Sequence, residues 1–183
     1  MLINYLRQIP DPRRGQGRMF DLPHILLFSI LAIASGADSY RKIDIFIQGN
    51  FNLLCDTYHI AWIRPPSYNV IRRVVHALDT KITEKVFRAY SREATQTEKK
   101  KWQSVSLDGK ALKHSFDTLV DKRFAQILSA FSPECNIVLA HQSIGTDKNN
   151  EINAAIQLMK ELQLDHVIYT LDALHTQKKR YNV

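Results

Sequence analysis

The chain has 183 residues, 45% hydrophobic and 23% charged, which is ordinary for a globular protein and enough for one sizeable core or two small ones. Its formal net charge of +7 suits a polyanionic partner, of which nucleic acid is the commonest. Cys55 and Cys135 form no Cys-x-x-Cys pair and the histidines form no His-x-x-x-His pair, which excludes the common zinc and dithiol motifs; the apolar run from Ile25 to Ala34 is shorter than the ~20 residues of a membrane span. The extreme N-terminus is not that of a secretory signal, so reduced thiols in a cytoplasmic protein are the simplest expectation.

In chain order, Ile9-Pro10-Asp11-Pro12-Arg13-Arg14-Gly15-Gln16-Gly17-Arg18 cannot form a regular element, because two prolines and two glycines interrupt it. Its arginines suit either a mobile arm that follows a phosphate backbone or a solvated loop. Asp21 is a cap candidate for a helix that begins at Leu22-Pro23, runs to about Ser35 and is closed by Gly36. Ser39 is the cap candidate for a second helix with Ile43, Phe46 and Ile47 on one stripe, and Asn50 to Leu54 either extends it or turns. Pro65-Pro66-Ser67 breaks the chain before a helix in which Val70, Ile71, Val74, Val75 and Leu78 share a side and Arg72 and Arg73 point elsewhere. A capped helix with adjacent arginines, after a turn and another helix, is compatible with a helix-turn-helix reader and equally with any amphipathic helix. Asp79 or Thr80 opens a further helix with Ile82, Val86, Phe87 and Tyr90 as its buried side; the polar stretch from Ser91 to Lys101 reads as an exposed helix end and a linker.

After Trp102 the pattern changes. Val105 to Leu107, Arg123 to Phe131, Ile137 to Ile144 and Val167 to Leu171 are strand candidates, with the second and third joined as a hairpin through Ser132 to Asn136. Asn150 or its neighbour starts a helix with Ile152, Ala155, Ile156, Met159 and Leu162 on one face. The fourth strand follows this helix and is expected to run parallel to its neighbour. The expected class is α + α/β, a helical N-terminal domain over residues 1–98 and a mixed sheet over 99–183.

Two of these strands end in a carboxylate, at Asp108 and Asp172. Chemistry in open sheets gathers at the carboxyl ends of strands, and hard cations take oxygen ligands. Asp108-Gly109 is also a strong hairpin signal. The residues after Gly109 do not alternate as a returning strand should, and Asp172 has no glycine after it.

Asp108-Gly109-Lys110 with Lys113 and Ser115, Lys148-Asn149-Asn150-Glu151-Ile152, and Asp172-Ala173 with Gln177-Lys178 resemble the H-repeat-associated family of DDE-type insertion-sequence transposases. Ile9-Pro10-Asp11-Pro12-Arg13, Ser35-Gly36-Ala37, and Pro66-Ser67 followed by Ile71-Arg72-Arg73-Val74 resemble that family's first domain. The resemblance implies an N-terminal domain that helps bind double-stranded transposon DNA and a ribonuclease H-like catalytic domain in a bacterial, cytoplasmic protein, nucleoid-associated when bound. It implies Asp108 and Asp172 as catalytic carboxylates that hold Mg²⁺, and Arg13, Arg14, Arg72, Arg73, Lys110, Lys113 and Lys148 as DNA contacts. Glu151 lies where a further metal ligand would fall, or is a helix-start charge favoured by the dipole.

Asn149 departs from the serine expected in the family. The family's final glutamate lies on a helix beyond the fourth strand, and no residue after Asp172 is acidic. The expectation is therefore an incomplete ribonuclease H-like domain, shortened by a frameshift or early stop and inactive alone. The alternative is a DNA-binding module that occupies transposon ends or inhibits a full-length transposase. Val167 and Ile168 would then lack cover, favouring a homo-oligomer or association with the full-length enzyme.

Overall fold

The structure is a computed structural model that describes residues 1–95, 103–111, 126–144 and 150–171. The chain falls into two units, Met1–Val86 and Phe87–Val183. The first contains α1 (Leu2–Leu6), α2 (Leu22–Ala34), α3 (Tyr40–Gly49), α4 (Phe51–Tyr58), α5 (Tyr68–His76) and the start of α6 (Thr80–Thr95). The second contains the rest of α6, β1 (Gln103–Ala111), β2 (Gln126–Ser132), β3 (Ile137–Ile144), α7 (Asn150–Leu162) and β4 (Val167–Leu171). The class is α+β, a helical part followed by a mixed sheet, as the sequence implies.

The first unit is built around α2, whose residues are apolar on nearly every side. Leu22, Ile25, Leu26, Leu27, Phe28 and Ala32 are buried, and α1, α3 and α5 pack against this helix. Ser29 is buried among them, and its hydroxyl donates to the Ile25 carbonyl at 2.7 Å, so no polar atom is stranded. Phe28 meets Tyr58 and Trp62 with ring centroids 5.7 and 5.6 Å apart, and Phe20 closes on Trp62 edge-on at 5.1 Å. Gly36 follows α2 with φ +95°, the left-handed conformation that glycine adopts without a Cβ clash.

Two N-caps depart from the sequence reading, since neither Asp21 nor Ser67 makes a side-chain cap bond. Ser39 accepts from the Lys42 N–H as expected. Asp21 instead turns its carboxylate to His24 Nδ1 and makes no side-chain cap bond. Asn50 to Leu54 does not continue α3: a separate helix, α4, ends at His59 in the left-handed region with φ 54°. Asp79 takes the cap of α6, accepting from the Lys81 and Ile82 N–H groups at 2.8 and 3.0 Å.

The basic stretch from Asp11 to Arg18 is a closed loop. Arg13 donates through Nε and Nη2 to the two oxygens of Asp11 at 2.9 and 2.8 Å, a bidentate fork, and also to the Phe20 carbonyl at 2.7 Å and the Gly17 carbonyl at 3.2 Å. Arg18 donates to the carbonyls of Arg13 and Asp11. The Arg13 hydrogen bonds hold the Asp11 carboxyl below its ordinary value, against the opposing effect of burial.

In the second unit the strand order is β3-β2-β1-β4. β1 and β2 are antiparallel, as are β2 and β3, while β4 is parallel to β1, the sense its crossover helix demands. Val105, Leu107, Leu128 and Ala130 form a buried core with Ala154, Ala155, Leu158 and Leu162 of α7. That face is rotated from the one read in the sequence, where Ile152, Ile156 and Met159 were placed inward; all three are only half-buried.

The division between the two units falls inside α6, after Val86. Ser91, expected on an exposed helix end, is fully buried, and its hydroxyl donates to the Val138 carbonyl at 2.9 Å. Arg88 donates to the His141 carbonyl at 2.7 Å and pairs with Glu161 of α7, and Phe87 lies 5.4 Å from the His141 ring. The second half of α6 thus covers edge strand β3 and belongs with the sheet. Ile82, expected inside, lies at the margin with 36% exposure.

Replacing Arg13 by Ala removes charge-assisted bonds and should lower the unfolding free energy by about 2 kcal/mol in urea titrations at pH 7. Asp11 is depressed in the folded state, so its contribution is present above its ordinary 3.8 and is lost as pH falls through the folded value. The gap between wild type and Arg13→Ala should therefore narrow as pH drops below about 4.

Candidate functional site

β1 carries the candidate site, and two contacts near its start fix its register. The Gln103 N–H donates to the His166 carbonyl at 3.0 Å, tying β1 to the residue before β4. Glu134, in the β2–β3 turn, accepts at one oxygen from the Ser104 N–H and Ser104 hydroxyl, both at 2.8 Å, and at the other from the Ser132 hydroxyl at 3.3 Å. These bonds, led by the Ser104 N–H, hold the Glu134 carboxyl below its ordinary value.

From there the parallel register runs Gln103 with Val167, Val105 with Tyr169 and Leu107 with Leu171. The next residues in the sequence are Asp108 and Asp172. Asp108 is not at the strand exit, where the sequence placed it; β1 continues through Gly109 and Lys110 to Ala111, and Asp108-Gly109 forms no turn. Pairing with β2 explains the extra length, since Asp108 lies opposite Ser129 and Ala111 opposite Gln126.

Strand alternation puts Asp108 and Lys110 on one face and Val105 and Leu107 on the other. The second pair is buried in the core formed with α7, and the first is exposed. An acid and a cation therefore share an open face about 7 Å apart along the strand. Ile168 and Thr170 of β4 are exposed as well, with Ile168 at 55%. Across the sheet, Asp108 pairs with Ser129, and Ser129 pairs with His141. Sequence inspection missed Ser129 and His141, because only strand register brings them into the row of Asp108.

The other expected residues separate into groups. Asp172, Lys113 and Lys148 lie outside the described residues. Glu151 falls in the first turn of α7, and its side chain lies outside the description. Arg13 is committed to its own loop, whereas the Arg14 side chain is exposed and makes no hydrogen bond or ion pair with the described residues. Arg72 and Arg73 are exposed on α5. The nine-residue connection from His59 to Ser67 between α4 and α5 exceeds the three or four residues of a tight helix-turn-helix turn, so α5 is presented in another way. Among the described residues, no group of three His, Cys, Asp or Glu side chains could hold a metal ion, and no helix is long and apolar enough to cross a membrane.

The DDE_Tnp_1-associated family matches residues 3–91, the helical part of the chain. The chain is 31% identical over 185 residues to "Putative transposase YncI" of Escherichia coli (strain K12), covering 97% of this chain and 70% of that protein. It is 31% identical to "Putative protein YbfL" and 30% identical to "H repeat-associated putative transposase YhhI", both of Escherichia coli (strain K12), each over 178 residues, 97% of this chain and 46% of the relative. The chain belongs to the H-repeat-associated transposase family, and it spans about half the length of YbfL and YhhI. No solved structure matches.

The Glu134 clasp yields a pH-dependent expectation. Its folded value is depressed, so its contribution is present above the ordinary 4.5 and is lost as pH falls through the folded value. Glu134→Gln should melt at a lower temperature than wild type at pH 7, and thermal scans at successively lower pH should bring the two curves together.

Proposed function

We propose that this transposase relative acts on duplex DNA at transposon ends through a DDE-type site whose carboxylates are Asp108 and Asp172. The observation that carries the reading is the parallel register of β1 with β4, which runs to Leu107 and Leu171, the residues just before those two acids. The side chains suit the role in type. Carboxylate oxygens are the donors that Mg²⁺ takes, and Asp108 stands exposed on the sheet face opposite the core. When bound there, Mg²⁺ would supply Lewis-acid stabilisation of the charge that develops in phosphoryl transfer.

Asp108 and Asp172 would hold the cation. Lys110, on the same face as Asp108, meets a phosphate oxygen of the DNA, and Lys113 and Lys148 add backbone contacts. Glu151 supplies a third oxygen donor or a helix-start charge. Two carboxylates by themselves would hold Mg²⁺ only weakly.

A second reading is a DNA-binding module that occupies transposon ends, or pairs with itself or a full-length transposase there, without catalysis. The family match within residues 3–91 and the exposed arginines of α5 favour it.

One set of assays separates the two. The full chain should bind duplex DNA with an affinity that falls steeply with salt, with a log–log slope of roughly −0.9 per phosphate neutralised. Calorimetric Mg²⁺ titration should show weak binding that Asp108→Asn and Asp172→Asn each abolish. Mg²⁺-dependent nicking of transposon-end DNA, lost in Asp108→Asn, would make the chain an active enzyme. Salt-sensitive binding with no Mg²⁺ effect in any variant leaves the module alone. Absence of DNA binding at about 50 mM salt defeats both readings.

A further inference from the structure

The outer side of α5 is an exposed, positively charged surface with no carboxylate partner among the described residues. Asn69, Arg72, Arg73 and His76 recur at i, i+3, i+4 and i+7, so they line one side of a nine-residue helix, and all four are exposed. The opposite side is anchored: Ile71 and Val74 are buried, and the helix packs on α2 and α3. Asn69 projects most directly away from that core with the two arginines flanking it, while His76, at the far end of the same side, packs its ring against Tyr40 of α3.

Its arginines differ from the cations of the unit that carboxylates hold, and they stand together on one helix, unlike the isolated Arg14. Arg13 and Arg18 are engaged by Asp11, and Lys42 by Asp38. α5 contains no acidic residue, and neither Arg72 nor Arg73 forms an ion pair with any described residue. The only hydrogen bond of the Arg73 side chain to the described residues runs from Nε to the Asn69 carbonyl at 3.2 Å, so its terminal amino groups are uncommitted. Arg41, at the start of α3, is exposed and likewise unpaired among the described residues.

The surface is also held rigidly. Tyr40, beside Arg41, lies 6.4 Å from the Tyr68 ring and 5.8 Å from the His76 ring, bracing both ends of α5 from α3. The connection that enters α5 is pinned by Trp62, which packs between Phe20 and Phe28. A fixed helix, about 10–12 Å across with its side chains and exposed and cationic from Asn69 to Arg73, matches a major groove about 12 Å wide.

We infer that α5 inserts into the major groove of duplex DNA, with Asn69 reading a base edge and Arg72, Arg73 and Arg41 gripping the phosphates that border the groove. Asn is the side chain whose amide pairs bidentately with adenine, and guanidinium forks suit phosphate oxygens. The inference rests on the proposed action on DNA and specifies the surface that performs it.

The test uses the full chain and a random pool of 20-base-pair duplexes, with selection and then fluorescence anisotropy on the selected duplex. Wild type should select a preferred sequence. Asn69→Ala should lose discrimination at one position by roughly 5- to 100-fold while retaining its affinity for unselected DNA. The double variant Arg72→Ala/Arg73→Ala should weaken binding to every sequence and make the log–log salt slope shallower by about 2. Circular dichroism checks that these surface changes leave the helices intact. If wild type binds duplex DNA but the double variant keeps its affinity and slope, or Asn69→Ala selects the same sequences with equal discrimination, the assignment to α5 is overturned while the proposed function stands. Equal binding to single strands also overturns groove insertion. If wild type binds no duplex DNA, the proposed function fails first.

Discussion

The parallel pairing of β1 with β4 is the constraint on which the second unit depends. Parallel neighbours cannot be joined by a hairpin, so the chain must leave the sheet, form α7 and return. The same detour covers one sheet face with Ala154, Ala155, Leu158 and Leu162. It also sets Leu107 beside Leu171, and a one-residue slip would turn β4's side chains to opposite faces. The bonds from Gln103 to His166 and from Ser104 to Glu134 secure β1 to β4 on one side and to the β2–β3 turn on the other. Asp108 inherits its position from these contacts and from its place opposite Ser129 in the β1–β2 ladder.

The two edges of this sheet are treated differently. At β3, Ser91 and Arg88 satisfy the carbonyls of Val138 and His141, and the Arg88–Glu161 pair links α6 to α7. A buried carbonyl without a partner costs more than a typical hydrogen bond contributes, so these contacts define where the second unit begins. Among the described residues no strand pairs with the outer side of β4, and Ile168 is exposed beside it.

The helical unit separates a rigid interior from a polar exterior. α2 supplies the interior, and the aromatic contacts of Phe20, Phe28, Tyr58 and Trp62 lock the connection between α4 and α5. Arg13 closes the loop that ends at Phe20, so a residue expected to face DNA acts within the fold. Arg14 and the arginines of α5 remain at the surface. Cations committed to carboxylates and carbonyls offer little to an external phosphate, which separates structural arginines from candidate contacts within one basic sequence.

The sequence by itself determined the elements. Apolar spacing gave α2, α3, α5 and α7, glycine and capping residues gave most of their ends, and the spans of β3 and β4 followed from turn residues around apolar runs. The order of these elements and the quoted motifs were enough for the family. Tertiary structure decided what depends on partners distant in the chain. Ser91 looks like a solvated helix residue until Val138 lies beside it. Asp108 looks like the end of a strand until β2 extends β1 to Ala111, and Ser129 and His141 carry no local signal of sharing its row. Local periodicity encodes how a segment folds, whereas the exact side that a helix such as α7 buries, strand register and the partners of a polar side chain are fixed only when separate segments pack together.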